Sequence, residues 1–143
     1  MLSISCKAAI KAVIFLGSKL ESGDKSSIKE IAKFINENEH TVGKILQKLV
    51  KHRIIISAKG PNGGFFITEK QKNQPIINIV EAIDGKDVFK QCGLGLNRCS
   101  ETRPCPFHND FKPIRELFKQ MCEEKRIRNL YENVNDGLAY LIG

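Results

Sequence analysis

At 143 residues and 41% apolar content the chain has the means for one folded domain, or a small domain with an appended helical arm. It has no stretch of membrane-spanning length and no signal-peptide core, so a cytoplasmic location is expected. Five cysteines in a reducing compartment read as free thiols, metal ligands or redox groups before they read as a disulfide framework. The formal net charge of +7 is lopsided, with 13 Lys and Arg against 6 Asp and Glu in residues 1–75 and 10 against 10 in residues 76–143, a distribution that suits a polyanion as partner and equally a solvated basic face, so the architecture has to decide between them.

Along the chain, Ala9, Ala12, Val13, Leu16 and Leu20 recur at helical spacing, and Ser22-Gly23-Asp24 supplies a break, predicting a first helix over residues 5–20. Ser27 and Glu30 have the spacing of a capping box, and the stripe Ile28, Ile31, Ala32 and Ile35 predicts a short second helix. After a polar turn at Asn36-Glu37-Asn38-Glu39, the residues Val42, Ile45, Leu46, Leu49 and Val50 form a third apolar stripe. His40, Thr41, Lys44, Gln47, Lys48 and Lys51 fall on its other faces, the arrangement of a helix that enters a DNA major groove. The β-branched run from Ile54, the turn Gly60-Pro61-Asn62-Gly63-Gly64 and the β-prone Phe65-Phe66-Ile67-Thr68 predict a β-hairpin wing. Three helices and a glycine-rich hairpin favour a DNA-binding module over a plain helical hairpin.

Beyond Pro75, the residues Ile76, Ile79, Val80 and Ile83 mark a further short helix that Gly85 can end. Helical periodicity then disappears from Lys86 to Asp110. Pro113 suits a helix start, and Phe111, Ile114, Leu117, Phe118, Met121 and Cys122 build an apolar face that runs toward Leu130. Little chain remains to cover so long a helix, which points to pairing with the same helix of a second copy, an isologous homodimer. Packing back on its own domain is the alternative. The fold class expected is mainly α with a small β-hairpin: a winged helix-turn-helix domain over residues 1–85, a cysteine-containing loop over 86–110, and a long C-terminal dimerisation helix and tail over 111–143.

That loop carries the chemistry. Cys92, Cys99, Cys105 and His108 have the spacing C-x6-C-x5-C-x2-H, and three thiolates with one imidazole suffice for an iron–sulfur cluster or another soft metal. The gaps are wider than the paired knuckles of a structural zinc site, which favours a cluster. Reversible thiol oxidation and inert loop cysteines are the competing readings. Cys122 reads as a buried small hydrophobe, whereas Cys6, placed ahead of the first helix, reads as a packing residue or, from a partner subunit, a fourth thiolate in place of His108. No paired carboxylates, nucleophile elbow or phosphate-binding loop appears, so an enzyme is not expected.

Ser57-Ala58-Lys59-Gly60-Pro61-Asn62-Gly63-Gly64-Phe65, Ile79-Val80-Glu81-Ala82-Ile83-Asp84-Gly85 and the three-cysteine loop together resemble the IscR/NsrR/CymR superfamily of winged-helix regulators, over nearly the whole chain. The resemblance implies a dimeric transcription factor, often a repressor, in which a two-iron or four-iron cluster or a small metabolite controls affinity for a double-stranded DNA operator. It assigns cluster ligation to Cys92, Cys99, Cys105 and His108, base and groove contacts to His40, Thr41 and Lys44, with Lys48 on the same outward helix, and backbone contacts to Lys59 and Asn62. The chain departs from the family pattern at several points: the first cysteine gap is one residue longer, Lys59 stands for arginine, Gly43 for a larger polar residue, and Arg53 for the glycine after the third helix. An iron–sulfur carrier or electron-transfer protein, which leaves the basic wing unexplained, and a cluster-free regulator sensing a small ligand are the alternatives.

Overall fold

Ser3 opens the first helix, α1 (Ile4–Ser18), by accepting the Cys6 amide at 3.0 Å on its hydroxyl oxygen. Its own amide donates to the Asp84 carboxylate at 3.0 Å, so one residue both caps α1 and ties it to a later helix. The computed structural model describes residues 1–20 and 23–141; Ser22 of the expected break lies outside them, as do the last two residues of the C-terminal segment. Every residue from Ala12 to Gly17 is buried, because α1 is packed on several sides and not along one stripe. It is the axle of the core.

The second helix, α2 (Ile28–Ile35), starts where the capping box places it: the Ser27 hydroxyl accepts the Glu30 amide at 3.1 Å. Asn36, in the left-handed region at φ 57, ends it, and Asn38 at once caps α3 (Glu39–Lys51) by accepting the Thr41 amide at 2.7 Å. The turn between the two helices is therefore tight. At the far end of α3 the Arg53 amide reaches the Val50 carbonyl at 3.0 Å and the Ile54 amide the Leu49 carbonyl at 2.9 Å, a Schellman cap with Leu49 and Ile54 both buried. Arg53 sits in this cap at φ 59, where a glycine would be unstrained.

Two short strands form the hairpin, β1 (Ile56–Ala58) and β2 (Gly64–Phe66), paired antiparallel with Ser57 opposite Phe65. The strands are shorter than the β-prone runs because Ile54, Ile55 and Ile67 turn into the core. Phe65 exchanges backbone hydrogen bonds with Ser26 at 2.9 and 2.8 Å, which fastens β2 to the entry of α2. A Cβ at Gly64 would stand 2.9 Å from the Ser26 carbonyl oxygen, so this approach requires glycine.

Helix α4 (Ile77–Asp84) packs on α1 and α3 and ends at Gly85, φ 84, followed by a 3₁₀ turn at Lys86–Lys90. Helix α5 (His108–Glu124) begins three residues earlier than the apolar pattern marks, so Pro113 falls in its second turn and not at its start. The apolar face does not continue to Leu130 as one long helix. The chain is extended at Lys125 and Arg126, then forms α6 (Ile127–Asn135). The cause is a tertiary bridge: the Ile76 amide donates to the Lys125 carbonyl at 2.9 Å and the Ile127 amide to the Gln74 carbonyl at 3.0 Å, while the Ile127 side chain is driven into the core. Arg126 and Arg128 clasp Asn73 from the same side. The described residues thus form six α-helices and one small hairpin, mainly α and winged helix-turn-helix in layout, with the C-terminal α6 packed against α1.

Candidate functional site

Helix α3 splits as its periodicity dictates: Val42, Ile45, Leu46 and Leu49 are buried, while His40, Lys44, Gln47, Lys48 and Lys51 are exposed. Thr41 is half-buried, and its amide donates to the Asn38 cap. His40, Thr41, Lys44 and Lys48 come together along a cleft of about 190 Å³, bordered by Ser5 of α1 and Ile83 of α4. Lys59 and Asn62 stand apart from them on the exposed wing tip. The wing is steadied at its base by Lys25, whose ammonium lies 5.7 Å from the centre of the Phe66 ring. Among the described residues none of Lys44, Lys48 and Lys59 is paired with a carboxylate.

The four candidate ligands fall in two pairs. Cys92 and Cys105 sulfurs are 3.5 Å apart, and the Cys99 sulfur is 3.3 Å from His108 Nδ1. Among the described residues no three histidine, cysteine or acidic groups close into a metal-holding set. His108 is brought in because it is the first residue of α5, and it is buried together with Cys92. The Leu94 amide donates to the Cys92 sulfur at 3.4 Å, and backbone amides of Leu94 and Leu96 hold that thiol below its ordinary range. A Cβ at Gly93 would stand 2.8 Å from Phe111, so the glycine here serves close packing against α5. Glu101 is hydrogen-bonded to Lys112, which keeps its carboxyl below the usual value and fastens the outer loop to the helix.

Cys6 lies inside the first turn of α1, not ahead of it, and is fully enclosed. Burial, with Asp84 adding to it, pushes its thiol up to about 12. It is a core residue of its own subunit and is not presented to a partner's loop. Cys122 is buried, as its place on the apolar face implies.

One residue at the site escapes a reading for ligands. Arg115 is 7% exposed, its Nη1 donates to the Gln91 carbonyl at 2.7 Å and to the Cys99 sulfur at 3.4 Å, and its Nε is buried without a hydrogen-bond partner among the described residues. The signal was its register: His108, Phe111, Arg115, Phe118 and Cys122 form the inward stripe of α5, so this arginine occupies a core position.

A tight helical pair whose second member displays unpaired cations, followed by an anchored hairpin, is the architecture of a winged helix-turn-helix protein. The profile of the Rrf2 family, described as "Iron-dependent Transcriptional regulator", matches residues 2–133. The chain belongs to the Rrf2 family of transcriptional regulators. It is similar to the HTH-type transcriptional regulator NsrR of Oceanobacillus iheyensis, 23% identical over 134 residues that cover 93% of this chain and 90% of that one. The same fold is seen in CymR, the global cysteine regulator of B. subtilis, with a TM-score of 0.75, 17% identity, and coverage of 92% of this chain and 96% of the other. It is seen too in IscR of T. potens, with a TM-score of 0.72, 13% identity, and coverage of 98% and 92%. These relatives are regulators and not enzymes, and no helix of the described residues is long and apolar enough to cross a membrane.

Proposed function

We propose that this regulator, acting as a homodimer and probing DNA with α3 and the wing, has its operator affinity set by an iron–sulfur cluster on Cys92, Cys99, Cys105 and His108. The observation that carries the DNA interface is the set of exposed lysines Lys44, Lys48 and Lys59 without carboxylate partners, each available to displace a counterion from a phosphate. His40 and Thr41, beside Lys44 at the start of α3, take the groove, and Lys59 and Asn62 the backbone.

The donor set suits a cluster. On a tetrahedral ion with metal–sulfur distances of about 2.3 Å two ligand sulfurs lie roughly 3.8 Å apart, close to the 3.5 Å between Cys92 and Cys105. Two pairs of donors also match a two-iron cluster, in which each iron takes two protein ligands. Bound there, the cluster would supply a one-electron couple and a reaction site for oxidants, and the chain's own part is to hold it between the loop and α5.

Dimerisation is assigned to the outward face of α5. Its apolar face divides in two, with Phe118 tilted against Phe89 at 5.8 Å on the inside, while Ile114, Leu117 and Met121 remain 47–66% exposed. Their spacing is that of a coiled-coil seam, which a second copy of the same helix would cover. Residues 1–85 then read DNA, 86–110 sense, and 111–143 hold the dimer.

The experiment is a titration of a palindromic promoter fragment with anaerobically prepared protein, with and without its cluster. Affinities that differ support the sensing role; equal affinities remove it. A second reading rests on the same 3.5 Å: the Cys92 and Cys105 thiols need approach only to about 2.05 Å to form a disulfide in the presence of an oxidant, making the loop a dithiol sensor. Iron and acid-labile sulfide analysis separates the two.

A further inference from the structure

We propose that Arg115 is the counter-charge of the sulfur site and the residue through which the state of that site is passed to α5; the inference rests on the cluster reading above. A guanidinium keeps its charge at any pH the protein meets, and a buried cation is costly unless an anion stands beside it. Arg115 is 7% exposed, yet its partners are a neutral carbonyl, Gln91 O at 2.7 Å, and the Cys99 sulfur at 3.4 Å. Among the described residues no carboxylate pairs with it, and its buried Nε is left without an acceptor. The interior therefore holds one positive charge in excess, aimed at the sulfur site.

An oxidised cluster supplies the missing charge. Three thiolates bring three negative charges to a core carrying two positive ones, and a neutral imidazole adds none, leaving one negative charge against one guanidinium. Loss of the cluster leaves Arg115 unbalanced. Because it lies between the outward Ile114 and Leu117, a rotation of α5 that returns the guanidinium toward water turns the seam on which a second copy would pack. The charge also acts on the couple, since a cation held beside the cluster favours the state with one more electron.

The test uses the full chain and its Arg115→Gln, Arg115→Met and Arg115→Lys variants, reconstituted anaerobically with ferrous iron and sulfide. Iron and sulfide content, midpoint potential and the rate of bleaching by a chelator are read for each. The expected result is that the wild type loads, that R115Q and R115M have a lower midpoint potential and bleach about 10-fold faster or more, and that R115K recovers most of both. Gln keeps a donor for the Gln91 carbonyl without the charge, so R115Q separates charge from packing should R115M fold poorly. A loaded R115Q that matches the loaded wild type in potential and lifetime overturns the role of Arg115 alone. A wild type that takes up neither iron nor sulfide overturns the cluster reading and this inference together.

Discussion

The ring of Tyr131 lies directly over Gly17: a Cβ on the glycine would stand 2.2 Å from the Tyr131 Cδ1 carbon, and α6 seats on α1 through this one missing side chain. Gly to Ala inside a helix ordinarily gains about 1 kcal/mol from propensity. Here the sign reverses, and Gly17→Ala is expected to cost about 1–3 kcal/mol through overpacking. Chemical denaturation measures it, and a gain in stability would mean that the ring is not held against α1.

Helix α3 and the cap that follows it carry two residues that ordinary helix chemistry would replace. A Cβ at Gly43 would meet only Ile28 Cδ1, at 3.8 Å, so Gly43→Ala fits without strain and should add about 0.5–1 kcal/mol. Arg53, at φ 59 in the Schellman cap, should gain about 0.5–1 kcal/mol on replacement by glycine, the relief of left-handed strain exceeding the extra freedom of the unfolded chain. The two sites lie at opposite ends of the helix, so the double variant is expected to show nearly the sum. A thermal melt of the three variants against the wild type decides both.

Cys6 predicts a pH dependence of stability. Its thiol is raised in the folded state from an ordinary 9.0 to about 12, chiefly by burial. The folded protein thus favours the protonated form, whose contribution is complete below pH 9.0 and is lost as the pH climbs toward 12. Over that window the wild type should lose about 1.4 kcal/mol per pH unit more than Cys6→Ala, which lacks the group. Parallel stability curves for the two proteins above pH 9.0 would contradict the enclosure of Cys6.

For the DNA interface, Lys44→Ala with Lys59→Ala should leave the fold and any visible absorption intact while weakening promoter binding. If each lysine meets one phosphate, the slope of log affinity against log salt becomes shallower by about one for each lysine removed. Fluorescence anisotropy at several salt concentrations reads that slope. An unchanged slope would place the phosphate contacts elsewhere on the molecule.

Much of this molecule is written locally. Ser27 and Glu30 at capping distance, the apolar stripe from Val42 to Val50, the turn residues from Gly60 to Gly64 and the stop at Gly85 specify helices and a hairpin through interactions that span a few residues, and each occurs where the spacing places it. Cys92, Cys99, Cys105 and His108 were legible as soft donors close in sequence, but the approach of Cys92 to Cys105 and of Cys99 to His108 as two pairs was not.

Other features depend on which surfaces meet. Nothing in Glu124-Lys125-Arg126 is a helix breaker, and the helix stops there because the backbone on either side of Arg126 pairs with Gln74 and Ile76. Phe118 and Leu117 are equally apolar in sequence, yet one packs against Phe89 and the other faces outward; Arg115 looks like a surface charge until α5 turns it toward Cys99. Cys6 could have faced a partner until α1 became the centre of the core. Caps, turns and periodicity are settled within one or two turns of chain, so the sequence by itself determines them. The side of a helix that loses its water is chosen by distant segments competing to bury apolar surface, and that choice belongs to the tertiary structure.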